Sequence, residues 1–445
     1  MKRWIAIWLT AATVLCMGSG CAAGKGVTVC DASGEVIATP RSTKTVAGTL
    51  RDGTYESYVT YALEEAIAVL AAATDGDTGA AQKALFRGDY TVHTLLDPAV
   101  HAAAQETYAA YEGENLPFGC AVLDYSGAVA AIYSGGEELF ALKSHSPCSA
   151  IKPLSVYAPA VEFGVADWGT QWKDAPYKKV TDLAGNVSLW PTNARGDYTN
   201  EPTSMYECVQ QSLNTAAVHC LKKVGVQKSL SFLTDRLGIN VAYEQNKAVL
   251  EGEDEVIGNV AMGFLYNGFT PLQLAGYFQI FGNHGAYAVP HCVDKICDAD
   301  GNVVYAFAAK QTQVIEDDTA YILNRLLQSV VLPGGTAKAA RVDGTEVVGK
   351  TGTSDEDNWF VGLTPDYCCA IWHGNREDGR NTAPQLFTNV FAKMPSPKTA
   401  QFAVPDSVER AVCCMDSGLR ASALCRNVQV GYYAASRLPT TCDVH

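Results

Sequence analysis

The tetrapeptide Ser149-Ala150-Ile151-Lys152 constrains this chain more than any other stretch. It is the only Ser-x-x-Lys sequence in the 445 residues. Three positions apart on a helix, the hydroxyl and the amine lie on one face and within reach of each other. An amine at that distance can act as a base and turn a weak hydroxyl into a nucleophile. The pattern therefore favours a serine that carries out acyl transfer.

Two prolines, Pro147 and Pro153, bracket this pair. Proline lacks a backbone N–H and clashes in a helix interior, so Pro153 must lie near the start of any helix there. We therefore expect Ser149 at or next to a helix N-terminus. Free N–H groups and the helix dipole favour negative charge at that place.

A second stretch, Ser212-Leu213-Asn214, is the only Ser-x-Asn sequence in the chain and lies in a helical region. Taken alone, it could equally be a helix cap or a buried polar contact. The stretch adds a second hydroxyl and a side-chain amide, and a serine nucleophile can use both groups.

A third stretch, Lys350-Thr351-Gly352-Thr353, has the pattern of a strand, and two further strand patterns follow it. Strand alternation puts Thr351 and Thr353 on one face and Lys350 and Gly352 on the other. Gly352 leaves room for another backbone to lie alongside. Alone, the stretch could be a plain edge strand with a protective lysine.

The net charge of −14 argues against nucleic acid as a partner. An anionic substrate would therefore need a local basic site. Helical patterns occupy the middle of the chain, and strand patterns gather towards its end. This order predicts a mixed α+β fold with helices packed on an antiparallel sheet.

The first residues have the pattern of a targeting segment. Lys2 and Arg3 precede an apolar run, and small residues precede Cys21. Two interpretations stay open: Cys21 is the lipidated first residue of a bacterial lipoprotein, or the apolar run remains as a membrane anchor. Both place residues 24–445 outside the cytoplasmic membrane.

The fifteen cysteines also permit two interpretations. In an exported protein they suggest disulfides, most plausibly in the tail, among Cys413 or Cys414, Cys425 and Cys442. Most of the others lie singly in apolar runs, which favours small buried hydrophobes in a reducing habitat. No Cys-x-x-Cys occurs and the adjacent pairs lack metal-ligand spacing, so we expect no metal and no cofactor.

The order Ser-x-x-Lys, Ser-x-Asn, Lys-Thr-Gly-Thr is the signature of penicillin-binding proteins and serine β-lactamases. From residue 55 onwards, the chain resembles the transpeptidase half of bifunctional (class A) penicillin-binding proteins. The likeness extends to 149–159, 214–218, 359–365 and 416–419. The resemblance implies the penicillin-binding-protein/serine β-lactamase-like fold, with the active site between a helical region and the sheet edge.

The resemblance also implies roles. Ser149 would attack the carbonyl of a D-Ala-D-Ala stem peptide, and neutral Lys152 would take its proton. A nearby cation such as Lys350 would lower the pKa of Lys152. Ser212 would relay the proton to the departing D-alanine nitrogen, and Asn214 would position Lys152 and the peptide amide.

The remaining residues of the motifs would bind the anionic groups. Lys350, Thr351, Gly352 and Thr353 would hold the terminal carboxylate. The backbone N–H groups of Ser149 and Thr353 would form the oxyanion hole. A β-lactam imitates the same peptide and would acylate the same serine.

We predict four segments: a signal peptide or anchor (1–23), a tether with a small helical module (24–115), the transpeptidase domain (116–395) and a cysteine-containing tail (396–445). Residues 24–54 are too few for the family's glycosyltransferase half. We therefore expect a monofunctional enzyme at the outer face of the bacterial cytoplasmic membrane, with a separate glycosyltransferase as a candidate partner.

Cys148 departs from the family, which commonly has glycine at this position. It adds a side chain next to the nucleophile. This side chain could crowd the site or make it sensitive to oxidation.

Three rival functions stay open. Water as the acceptor would make the enzyme a D,D-carboxypeptidase. A serine β-lactamase shares the three motifs, although the Glu-x-x-Leu-Asn sequence that one class uses for deacylation is missing. A rival of another class is a non-catalytic, membrane-tethered sensor of cell-wall peptides or β-lactams.

Overall fold

The computed structural model describes residues 26–73, 75–111, 116–182 and 184–444. The expected signal or anchor segment, with Cys21, lies outside the described residues. Within the described ranges, no helix combines the length and the apolar character that crossing a bilayer requires.

The helices of the described residues are mostly short. They are α1 (Glu56–Ala72), α2 (Thr78–Arg87), α3 (Pro98–Ala109), α4 (Ala158–Glu162), α5 (Met205–Gln210), α6 (Asn214–Val224), α7 (Val226–Leu237), α8 (Ala242–Glu251), α9 (Ile257–Met262), α10 (Pro271–Phe278), α11 (Asp317–Val331) and α12 (Ala383–Lys393).

The strands of the described residues form two five-stranded sheets and four two-stranded sheets. They are β1 (Thr28–Cys30), β2 (Val36–Ala38), β3 (Thr91–Thr94), β4 (Phe118–Asp124), β5 (Val129–Gly135), β6 (Gln171–Lys173), β7 (Lys178–Thr181), β8 (Val187–Trp190), β9 (Pro202–Ser204), β10 (Ala286–Ala288), β11 (Val293–Cys297), β12 (Val303–Ala306), β13 (Gln311–Gln313), β14 (Val348–Thr353), β15 (Asn358–Leu363), β16 (Tyr367–His373), β17 (Val408–Cys414) and β18 (Val428–Ala434).

One compact unit contains the described residues up to Asp97 together with His291–Ala308. Its sheet has the order β12-β11-β3-β1-β2, with β1 parallel to β3 and the other pairs antiparallel. The structure differs here from the tether predicted at the start of the 24–115 segment, which forms strands β1 and β2, whereas the predicted helical module contains α1, α2 and α3. The apolar side chains of Val29 and Ile37 are buried in this sheet, which explains why the segment is ordered as strands.

The second unit contains Pro98–Pro290 and Ala309–His445 and holds all three motifs. Its five-stranded sheet has the order β14-β15-β16-β4-β5, and every pair in it is antiparallel. Helices α10 and α12 pack on the central strands, and α11 packs against the edge strand β14. The α+β class predicted from the sequence, with helices on an antiparallel sheet, is confirmed.

Local sequence explains where the helices near the site begin. Ser204 and Glu207 form a reciprocal capping box at the start of α5, and Thr270 and Gln273 form another at α10. Pro271 takes the first helical position of α10, where its missing N–H costs nothing. These caps fix the helical layer that faces the edge of the sheet.

Candidate active site

Ser149 lies in a short 3-10 turn, Cys148–Ile151, which leads through a π-helical turn, Pro153–Tyr157, into α4. The sequence predicts a helix start here, and in the structure this start consists of the 3-10 turn followed by the π-helical turn. The Ala150 N–H donates to the Pro147 carbonyl at 3.0 Å. Ser149 is half-buried, and its hydroxyl forms no hydrogen bond to another described residue, so it is available to a substrate.

The loop before Ser149 is fixed on two sides. His145 and Phe269 exchange two backbone hydrogen bonds of 2.9 and 2.8 Å. The indole N–H of Trp359, on the central strand β15, donates to the Ser146 carbonyl at 2.7 Å. The Ser146 hydroxyl donates to the Gly263 carbonyl at 3.0 Å. The serine turn is therefore held between the helices and the sheet.

Lys152 is fully buried beside this turn. Its Nζ donates to the Asn214 Oδ1 at 2.7 Å and to the Ser212 carbonyl at 2.8 Å. A neutral amine has two N–H donors and one lone pair, and these two oxygens, which lie closer than the Ser212 Oγ at 3.4 Å, can use both donors. The lone pair is then left to accept a proton, as a general base requires.

Ser212 joins this amine to a second one. Its Oγ accepts a hydrogen bond from the Lys350 Nζ at 2.8 Å and lies 3.4 Å from the Lys152 Nζ. Lys350 also donates to the Thr351 carbonyl at 3.1 Å, which leaves one donor of the ammonium group free. The Ser212 backbone has φ +57°, a strained conformation that often marks functional sites.

Burial dominates the electrostatics of both lysines. Burial, and then the charge of Lys350, hold the pKa of Lys152 well below its usual value. Burial lowers the pKa of Lys350 to about 7. Two ammonium groups this close cannot both stay charged in a water-poor site. The arrangement therefore favours a neutral Lys152 next to a protonated Lys350.

These shifts predict a bell-shaped pH dependence for acylation by a β-lactam. The second-order rate constant should rise as Lys152 loses its proton and fall above about pH 7 as Lys350 loses its own, because the anion anchor is then neutral. Stopped-flow acylation between pH 5 and 10 measures both limbs. Lys350→Arg keeps its charge over this range, so its alkaline limb should move upwards. An alkaline limb that is unchanged in this variant would contradict the assignment.

Gly352 brings the sheet edge against the serine turn. A Cβ at this position would lie 2.3 Å from the Pro147 carbonyl oxygen and 3.1 Å from the Ala150 nitrogen, so no larger residue fits. The backbone of β14 therefore runs directly beside Ser149. The role of the Thr353 backbone N–H in the oxyanion hole stays a prediction.

The two threonines of the strand have partners that the sequence did not reveal. The Thr351 hydroxyl lies 2.7 Å from that of Thr336. The Asn381 side-chain amide donates to the Thr353 hydroxyl and to the Gly352 carbonyl, both at 3.0 Å. Both partners lie in irregular segments without a motif, so no sequence signal could have found them.

A buried polar network supports Asn214 from behind. Its backbone N–H donates to the Asn193 Oδ1 at 3.0 Å, and Asn193 in turn donates to the Asp174 Oδ1 at 2.7 Å. Thr215 also donates to this carboxylate at 2.6 Å. Burial acts to raise the pKa of Asp174, but hydrogen bonds from Thr199 and these neighbours hold it below its usual value. The carboxylate therefore positions the start of α6.

Cys148 has φ +49°, a backbone conformation that glycine adopts without strain. The Cys148 side chain is buried. The Cys148 carbonyl packs so closely against Gly263 that a Cβ on that glycine would lie 2.0 Å from the carbonyl oxygen. Burial raises the pKa of the Cys148 thiol. A buried thiol with a raised pKa reacts slowly, so the oxidation considered from the sequence is disfavoured.

This geometry predicts that Cys148→Gly is tolerated and that Cys148→Val is not. Glycine removes a backbone strain of roughly 1–2 kcal/mol at this positive φ. This gain offsets the greater conformational entropy that glycine loses on folding and the loss of the buried cysteine side chain. A β-branched residue is a poor fit at positive φ, and we expect it to cost about 2 kcal/mol or more. Penicillin acylation should stay within about threefold of wild type in the first variant and fall by about tenfold or more in the second, with circular dichroism as the folding control.

The structure thus brings together Ser149, Lys152, Ser212, Asn214 and Lys350, with the Gly352 backbone against the serine turn. Cys21 lies outside the described residues. A family model for the penicillin binding protein transpeptidase domain matches residues 126–391, more than half of the chain.

The chain belongs to this transpeptidase family.

Relatives of this penicillin-binding protein transpeptidase chain are longer than the chain itself. It is 30% identical over 329 residues to penicillin-binding protein 1A of Clostridium perfringens, covering 68% of the chain and 38% of the relative. It is 28% identical over 314 residues to penicillin-binding protein 4 of Bacillus subtilis, covering 67% and 47%. The chain thus spans less than half of the length of each relative.

A solved structure shows the same fold. The D,D-transpeptidase domain of a peptidoglycan glycosyltransferase from Eggerthella lenta superposes with a TM-score of 0.61 at 19% identity, covering 84% of this chain and 98% of that chain. The penicillin-binding-protein fold predicted from the sequence is therefore confirmed.

Proposed function

We propose that this chain is a serine D,D-transpeptidase that cross-links peptidoglycan. Its substrate would be a stem peptide ending in D-Ala-D-Ala, and β-lactams would acylate the same serine. The observation that carries the proposal is the hydrogen bonding of the buried Lys152, three residues after Ser149, whose Nζ donates to the Asn214 Oδ1 at 2.7 Å and to the Ser212 carbonyl at 2.8 Å.

In the first half-reaction, the Ser149 oxygen forms a bond to the carbonyl carbon of the penultimate D-alanine. Lys152 takes the hydroxyl proton, and the negative charge develops on the former carbonyl oxygen. Backbone N–H groups of Ser149 and Thr353 would stabilise that charge by roughly 3–4 kcal/mol for each donor. The peptide C–N bond then breaks.

The leaving nitrogen needs a proton, and Ser212 is placed to relay it from Lys152. The relay is supported by the position of the Ser212 Oγ between the two amines, at 2.8 Å from Lys350 and 3.4 Å from Lys152. The free donor of Lys350, with Thr351 and Thr353, would hold the terminal carboxylate of the leaving D-alanine. An acceptor amine then attacks the ester and restores Ser149.

Four further features concern the acceptor, the number of activities, the location and the partner of the enzyme. We propose an amine rather than water as the acceptor, a monofunctional enzyme, a place at the outer face of the cytoplasmic membrane and a separate glycosyltransferase as partner. β-Lactamase activity is disfavoured because the Glu-x-x-Leu-Asn sequence, which one class of β-lactamases uses to hydrolyse the ester, does not occur in the chain.

Incubation with a D-Ala-D-Ala pentapeptide, with and without an amine acceptor such as D-amino acid amide, tests the proposal. Mass spectrometry should find a new amide in which the acceptor replaces the terminal D-alanine, and Ser149→Ala should form none. Release of D-alanine to water alone would replace the proposal with a carboxypeptidase. The absence of both products, without penicillin labelling, would favour the sensor.

A further inference from the structure

Three cysteines far apart in the sequence meet in the C-terminal hairpin. Their sulfurs, in Cys414, Cys425 and Cys442, all lie within 4.8 Å of one another. Among the described residues they form the one such group of histidine, cysteine or acidic side chains. All thirteen described cysteines, including these three, are free thiols in this structure.

Backbone hydrogen bonds bring the three positions together. Cys414 ends β17, and its N–H and carbonyl bond to Leu419 and Gly418, each at 2.8 Å, which closes a tight turn. The next residue, Arg420, accepts from the Cys442 N–H at 2.7 Å. The segment after β18 is thereby fixed against the turn, so the convergence of the sulfurs is set by the main chain.

The sulfurs lie among hydrogen-bond donors. The Ser417 hydroxyl donates to the Cys442 Sγ at 3.2 Å, and the Ser422 N–H donates to the Cys425 Sγ at 3.3 Å. Such donors stabilise thiolates, which are the form of cysteine that binds metals. Cys414 and Cys442 are buried, and Cys425 is half-buried at the open side of the group.

We propose that Cys414, Cys425 and Cys442 bind one zinc ion through three thiolates. Sulfurs bound tetrahedrally to zinc at about 2.3 Å lie about 3.8 Å apart, which agrees with this cluster. A disulfide would require about 2.05 Å and would use only two of the three sulfurs. The fourth position is open to water or another ligand. His445, three residues after Cys442, lies outside the described residues and is not counted among the ligands.

The expected role of the ion is structural. Strands β17 and β18 bury only five of their fourteen residues, so this hairpin has little core of its own. Its turn packs against the segment that follows α4: the Gln171 side chain donates to the Met415 carbonyl at 3.0 Å, and Gly169 lies against Gly418. A metal at this turn would fix a contact of the transpeptidase domain that is separate from the catalytic residues.

From the sequence we expected no metal, because the adjacent cysteine pairs lack metal-ligand spacing. The three cysteines are 11 and 17 positions apart. Short ligand pairs such as Cys-x-x-Cys place two sulfurs by local geometry, whereas here the hairpin and the returning segment create the site. Only the fold could reveal it.

The test is the metal content of the full chain, purified in detergent without chelator and without reductant. We expect about one zinc per chain by mass spectrometry of metals after gel filtration. After chelation under reducing conditions, titration with Co²⁺ alone should produce thiolate-to-cobalt charge-transfer absorption that saturates at one equivalent, and added Zn²⁺ should abolish it. Neither readout depends on catalytic activity, so failure of the proposed function would leave this test intact.

Cys425→Ser should lose the zinc and the cobalt absorption. Cys413→Ser is the matched control: it is the neighbour of Cys414, but its thiol contacts the Cys414 carbonyl and lies towards Gly169, outside the cluster, so it should keep both. Zinc content no higher in wild type than in Cys425→Ser would overturn the proposal. So would a disulfide between two of the three cysteines in the non-reduced protein. If Cys425→Ser does not fold, the wild-type cobalt titration alone decides.

Discussion

Ser149→Ala should abolish covalent labelling by a fluorescent penicillin, a loss of at least about 10³-fold in acylation rate. The variant lacks the only atom that can form the ester, while Lys152, Ser212 and Lys350 keep their hydrogen bonds. The half-buried position of Ser149 makes a large effect on stability unexpected. Gel fluorescence of purified protein over a time course measures the loss.

Ser144→Ala is the matched control for this variant. Ser144 lies on the same loop and is exposed, and it should label like wild type. Labelling of Ser149→Ala at a comparable rate would remove Ser149 from the role of nucleophile. Equal loss in both variants would show that the loop, rather than the hydroxyl, had been disturbed.

Lys152→Met should slow acylation by about 10²–10⁴-fold, the usual contribution of a general base. It should also change how stability depends on pH. A buried lysine with a depressed pKa binds fewer protons in the folded state than in the unfolded chain, so its unfavourable effect is full at low pH and disappears as the pH rises towards the usual lysine pKa. The variant lacks this effect.

The stability that Lys152→Met gains over wild type should therefore be larger at pH 6 than at pH 9. Urea unfolding of both proteins at the two pH values measures it. Lys179→Met, an exposed lysine, should show no such difference. A stability difference for Lys152→Met that is the same at both pH values would mean that Lys152 keeps its proton in the fold.

Local patterns predicted the parts of the fold that depend on nearby residues. The helix start at Thr270-Pro271, the hairpin turn at Asp124–Gly127 and the strands on either side of Pro365 all have their cause within a few positions of sequence. Residues 28–38 were wrongly predicted as part of a tether, because Gly, Thr and Ser surround only a few apolar side chains. Their partner strand, β3, lies about sixty positions further on.

The three motifs of the site could be found because each has a distinctive composition. Their geometry could not, since the positive φ of Cys148 and Ser212 and the burial of Lys152 come from tertiary packing. The supporting residues Asp174, Asn193 and Asn381 were missed for the same reason. Single polar residues in loops have no sequence signature until the fold places them beside the motif.

The position of the penicillin adduct tests most directly whether Ser149 is the nucleophile. After brief exposure to penicillin, intact mass spectrometry should show one equivalent added to the full chain, and peptide mapping should locate it on Ser149. The ester should persist for many minutes, as expected when water lacks an activating base. An adduct on another residue would contradict the account, and so would an ester that is hydrolysed within seconds or the absence of any adduct.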